Sequence, residues 1–216
     1  MIKVTYIDHM GSDLSVVNAA RTSFNRNSDW LHPANGKASG LREGDKRLIK
    51  YLAKHGHYTP FGHCFVSLHI TAPIFVARQL VKHKFLRWSE ISRRYSTENI
   101  EFYYPDEWRG RSADKKQGSD GVVEGIDSTV VESLVKCAKH DYNYLLAKGV
   151  SPEQARMVLP QSTLTEWIWS GSLDAFTDMC NLRCKEDTQY ETRLVADYIR
   201  SEMIKLFPVS VEALIK

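Results

Sequence analysis

Between residues 64 and 95 the pattern of the chain changes twice, and no other stretch constrains the fold as much. Residues 64–71 (CFVSLHIT) alternate, with Phe65 and Val66, then Leu68 and Ile70, as the apolar members. A period of two is that of a half-buried strand. Pro73 suits the first turn of a helix, where its missing N–H costs nothing, and the apolar residues 74–81 continue that helix. It delivers residues 82–95 (KHKFLRWSEISRRY), which carry Lys82, Lys84, Arg87, Arg93 and Arg94 together with His83, Glu90, Ser89 and Ser92. A buried helix ending in a basic, hydroxyl-bearing loop is suited to a phosphorylated ligand, because guanidinium forks grip phosphate oxygens and Ser and Glu orient the remainder. A solvated basic surface or a nucleic-acid patch is the plainer reading, and composition alone favours it.

The 216 residues are expected to form one domain, 1–216, with a sizeable core. A formal net charge of +3 is too small for a dedicated nucleic-acid binder. The apolar runs are too short to cross a bilayer, and the start of the chain leads into strand-like KVTYID without a signal core. An intracellular, cytoplasmic protein is expected (in the host cytoplasm for a virus-encoded chain), with no membrane and no nucleic acid as partners. Cys64, Cys137, Cys180 and Cys184 are then expected to be reduced thiols. Cys180 and Cys184 are one helical turn apart, which suits a metal pair, but no other Cys or His lies near them and buried thiols are the better reading.

Along the chain, residues 2–8 suggest a strand and Asp13 a helix cap. Residues 25–40 read as a loop and 45–55 as an amphipathic helix. Residues 101–104 read as a short strand, and 106–125 as a polar surface loop. Residues 128–148 form a long helix with Val131, Leu134, Ala138, Tyr142 and Leu145 inward, closed by Gly149. A short helix begins at Ser151 and ends at Pro160. Residues 164–170 are extended, with Trp167 and Trp169 alternating, and 172–182 and 188–206 are helices. Strands mixed with helix pairs, and no regular alternation of the two, indicate an α+β fold.

Few groups suggest chemistry of their own. His55, His57 and His63 span nine residues, a density that suits zinc, but Pro60 breaks the helical placement and a ligand-contact or structural role is favoured. Arg156 sits among apolar residues expected to be buried, so it needs a partner or a ligand; Arg183 follows an apolar helix. No nucleophile motif or glycine-rich phosphate loop is present, so an enzyme of this sequence would take its reactivity from a cofactor.

Lys82-His83-Lys84, seven residues and then Ser92, followed by Arg94-Tyr95, resembles the signature of flavin-dependent thymidylate synthases, in which the two lysines are arginines. AARTSF (19–24), LIKYLAKHGHYTPFGH (48–63), APIFVARQL (72–80), EFYYP (101–105), ARMVLP (155–160) and NLR (181–183) resemble the same family in the same order. The resemblance implies an α+β fold, a homotetramer with active sites between subunits, and methylation of dUMP to dTMP. The carbon comes from 5,10-methylenetetrahydrofolate, FAD relays hydride from NADPH, and no cysteine attacks the uracil. It places Gln79, Lys82, Glu90, Ile91, Ser92, Arg93, Arg94, Arg156 and Arg183 on dUMP, with Ser92 near the uracil and Arg183 assisting ionisation of its N3. It places His57, Thr59, Lys82, His83, Lys84, Glu90, Ser172, Asp174 and Asp178 on FAD, and it implies no metal. Gly62 stands where the family usually has Glu, and Asp174 and Asp178 where Arg and Asn are usual. Lys82 and Lys84 keep the charge of the signature but not its planar fork.

Overall fold

The computed structural model describes residues 1–32, 40–113 and 118–215. Residues 33–39 of the expected 25–40 loop and 114–117 of the expected 106–125 loop lie outside the described residues. In chain order the elements are β1 (Lys3–Met10), α1 (Asp13–Arg21), α2 (Glu43–Lys54), β2 (Phe65–Pro73), α3 (Ile74–Leu80), β3 (Leu86–Glu90), β4 (Arg109–Arg111), β5 (Ser119–Val122), α4 (Ser128–Ala147), α5 (Pro152–Ala155), β6 (Leu164–Ser172), α6 (Leu173–Arg183), α7 (Tyr190–Leu206) and α8 (Pro208–Leu214).

The fold is α+β. An antiparallel sheet in the order β1-β2-β6-β3 carries helices on its apolar face. Alternation along β2 turns Val66, Leu68 and Ile70 inward, and along β6 it turns Trp167 and Trp169 inward. These meet Leu80 of α3, Phe176 and Met179 of α6, Val195 and Ile199 of α7, and Val211 of α8 in one core. Truncating either buried tryptophan to alanine would cost roughly 3–5 kcal/mol. A smaller cluster of Ile100, Tyr142 and Ala155 ties α4 and α5 to the chain after β3.

Four expectations are corrected. The basic segment is not all loop: residues 86–90 are strand β3, with Trp88 stacked on Trp167 at 4.3 Å. Within the 106–125 segment, β4 and β5 pair as antiparallel strands. Residues 101–104 form a single bridge, Phe102 to Thr163, and no full strand. On α4, Leu134 is exposed and Val135 is buried in its place. Gly149 does close that helix: its φ is +82°, and Gly149 and Val150 donate to the Leu146 and Leu145 carbonyls.

Candidate active site

Pro73 starts α3 and the buried side of that helix holds it against the sheet, so Gln79 emerges at its end. The chain then turns through Phe85, which has φ +65° and is 82% exposed, and enters β3. Lys82 and Lys84 stand exposed on this turn. His83 points inward, edge-on to Trp169 at 6.4 Å. Arg183, in the last turn of α6, donates from Nε to His83 Nε2 at 3.0 Å and from Nη2 to the Gln79 carbonyl at 3.4 Å. Burial, and then the Arg183 charge, push the His83 pKa down to about 4. His83 is therefore neutral near pH 7, accepts at Nε2 and carries its proton on Nδ1. Burial also lowers the Arg183 pKa. Behind Gln79, its Nε2 donates to Gln189 Oε1 at 2.5 Å, and Gln189 Nε2 donates to Glu191 Oε2 at 3.1 Å.

A second group lines an open cavity of about 730 Å³, walled by Arg78, Glu90, Ile91, Ser92, Arg93, Arg94 and Arg156 among others. Glu90 is held at both oxygens, by the Thr165 hydroxyl at 2.6 Å and the Trp88 indole N–H at 3.0 Å. Ile91 donates to the Glu166 carbonyl as the chain leaves the sheet. Ser92 Oγ accepts from both the backbone N–H and Nε of Arg94, at 3.3 Å each. Arg93 turns inward and donates to the Glu98 carbonyl at 3.0 Å, while its Nε is buried with no partner among the described residues. Arg156 is exposed, donates to the Glu153 carbonyl of the preceding turn at 3.2 Å, and is followed by Met157 at 80% exposure. The expectation of buried neighbours holds for Ala155 but not for Met157 and Val158, and Arg156 itself faces the cavity from a surface turn. Arg78, which sequence reasoning passed over, joins the same wall; its place beside Gln79 on α3 was the available signal.

The third group is separate again. His57 and Thr59 line a cavity of about 570 Å³ with Phe24, Tyr51 and His63. His57 lies parallel to Tyr51 at 6.2 Å. Ser172 caps α6, and Asp174 follows in its first turn. Asp174 Oδ1 is buried with no partner among the described residues, and a Cβ built on Gly62 would come no closer to it than 3.9 Å. Asp178 lies one turn further on, exposed. No group of three or more His, Cys, Asp or Glu among the described residues is arranged to hold a metal. Cys180 is buried, and its hydrogen bond with Cys184 and its burial raise its pKa. Cys64 is buried on a bond to the Ser12 carbonyl, and burial pushes its thiol up to about 11. A single chain thus brings Gln79, His83 and Arg183 together and gathers Glu90 to Arg94 with Arg156 around a cavity that the first three do not line.

Residues 5–209 match the family described as thymidylate synthase complementing protein. The chain is 36% identical over 219 residues to a flavin-dependent thymidylate synthase of Ehrlichia ruminantium, covering 99% of this chain and 70% of that protein. It is 35% identical over 214 residues to the flavin-dependent thymidylate synthase of Thermosipho africanus, covering 97% and 89%. Among solved structures it superposes with a TM-score of 0.81 on the UMP/dUMP methylase PolB from Streptomyces cacaoi bound with 5-Br dUMP, at 31% identity, covering 99% of this chain and 94% of PolB.

Proposed function

The chain belongs to the family of thymidylate synthase complementing proteins, and on that premise we propose that it is a flavin-dependent thymidylate synthase. It methylates dUMP to dTMP with 5,10-methylenetetrahydrofolate as carbon donor and NADPH as hydride source. The observation that carries this reading is the Arg183–His83 pair. A neutral imidazole holds the guanidinium through Nε, the Gln79 carbonyl holds it through Nη2, and Nη1 is left for a ligand. A fixed cation beside a uracil imide lowers the N3 pKa and supports the negative charge that methylation at C5 requires on the ring. Cys64, buried and weakly acidic, is unsuited to attack the ring.

Arg94 and Arg156, with Arg78 beside them, supply the charge for the 5′-phosphate. Ser92, Ile91 and Glu90 hold the nucleotide from the end of β3, while Arg93 is committed to the Glu98 carbonyl and shapes the turn. Because Gln79, Lys82 and Arg183 are not among the residues that line that cavity, the complete site is read as forming between subunits of a homotetramer. The residues also fit a flavin dinucleotide. Lys82 and Lys84 are exposed cations suited to its diphosphate, and the orphaned Asp174 Oδ1 beside Gly62 is an acceptor suited to a hydroxyl or imide N–H. His57, Thr59, His83, Glu90, Ser172 and Asp178 would complete the contacts. Bound flavin supplies the hydride, taken from NADPH, that reduces the transferred carbon to a methyl group.

The test is release of tritium from 5-tritiated dUMP with FAD, NADPH and methylenetetrahydrofolate present. The wild-type chain should release it, and Arg183→Ala should lose about 100-fold or more in rate with an unchanged circular dichroism spectrum. Normal turnover by that variant would refute the role of Arg183, and no release by the wild type would refute the activity.

A further inference from the structure

Gln79 is one end of a line of hydrogen bonds that runs away from the site: Gln79 to Gln189, Gln189 to Glu191, and Glu191 to Arg109 of strand β4. Glu191 is 4% exposed, and Arg109 and the Tyr103 hydroxyl, at 3.4 Å, both donate to its Oε1. Arg109 also lies over the Tyr190 ring at 4.3 Å, so the guanidinium is clamped from two sides. The direction of every bond in this line is dictated by its far end. An ionised carboxylate only accepts, so Gln189 must turn its NH₂ toward Glu191. Its Oε1 then faces Gln79, and Gln79 must donate from Nε2. The assignment rests on the carboxylate and not on telling nitrogen from oxygen in either amide.

We propose that Gln189 and Glu191, anchored by Arg109 of the β4–β5 hairpin, are positioning residues that lock the Gln79 carboxamide in one orientation, so that it meets the nucleotide with its carbonyl oxygen and accepts an N–H or O–H of the ligand. No described residue bonds to Gln79 Oε1, so that acceptor is left for the ligand. Without the line, the Gln79 amide is free to rotate by a half-turn and present a donor where an acceptor is needed. The hairpin thereby acts on substrate affinity from outside the site. The inference rests on the reading of Gln79 as a nucleotide contact.

The experiment measures dUMP binding by calorimetry on the flavin-loaded enzyme, and KM and kcat separately, for the wild type, Gln189→Met, Glu191→Gln, Gln189→Glu and the double variant Q189E/E191Q. Gln189→Met keeps the volume and removes the polarity; it should weaken dUMP by about 3- to 10-fold, raise KM by a similar factor and leave kcat within about twofold. Gln189→Glu sets two carboxylates against each other, and Glu191→Gln frees the amide to turn, so each should weaken binding. In the double variant the carboxylate moves to position 189, where it accepts from Gln79 and from the new amide at position 191. That restores the direction at Gln79, and affinity should return to within about twofold of wild type. Wild-type affinity in Gln189→Met, or a double variant no tighter than the weaker single, overturns the proposal. So does a fall in thermal midpoint with KM unmoved. If Gln189→Met does not fold, the comparison of the double variant with its singles decides. A wild-type chain that turns over dUMP while all variants bind equally refutes this inference alone; one that binds no dUMP refutes the nucleotide reading and this inference with it.

Discussion

His83 is the residue whose environment does most to set its chemistry. An ordinary histidine titrates near 6.5, and this one is pushed down to about 4 by burial and by Arg183. Between those values the unfolded chain binds the proton and the folded chain does not. The His83 contribution is therefore intact above about pH 6.5, is lost as pH falls, and levels off below about 4. His83→Gln keeps an acceptor for Arg183 and removes the titration. Its urea midpoint should fall less than the wild-type midpoint between pH 7 and pH 5, and parallel falls would show that His83 titrates normally in the folded chain. The signature made His83 visible in the sequence, but not its neutrality, which depends first on burial and then on Arg183 arriving from a helix 100 residues away.

At the scale of elements, helix ends are closed by residues far off in sequence. The expected cap of α1, Asp13, is instead its first helical residue, and Ser12 is the cap. Asp13 accepts from the backbone N–H groups of Val209 and Ser210 at 2.9 Å each and from the Ser210 hydroxyl at 2.5 Å, so it caps α8 across the core. Asp13→Ala should cost about 1–3 kcal/mol, because those buried donors lose their acceptor, and a urea midpoint within error of wild type would sink this account. Strand β3 shows the opposite kind of concealment. Its cations hid a period of two, because Arg87 and Ser89 are exposed while Leu86 and Trp88 between them are half-buried. Register there is set by Gly171, where a Cβ would lie 2.3 Å from Leu86 Cδ2; the cross-strand fit is a property of the pair and not of either segment.

For the whole molecule, it matters that Gln79 and Arg183 do not line the cavity that Arg156 faces. If one site takes Gln79 and Arg183 from one chain and Glu90 to Arg94 and Arg156 from another, two inactive variants should complement. Arg183→Ala and Arg156→Ala, unfolded together and refolded at equal amounts, should regain activity at about one site in four by random assortment around a two-fold axis. Recovery no greater than the sum of the separate variants would place each site within one chain.

The sequence by itself determined the alternation of β2 and β6, the helices that cover them, the Gly149 stop and the order of family segments, because periodicity and capping are local and survive without knowledge of neighbours. Through the family resemblance it also supplied the residues proposed for the site. Only the tertiary structure decided that residues 86–90 are a strand, that Arg156 is exposed, that Arg78 joins the cavity wall, and that Gln79 is held in one direction by Gln189 and Glu191. Each of these depends on what stands opposite a residue across the fold, and burial, desolvation and hydrogen-bond direction are set by that opposing surface.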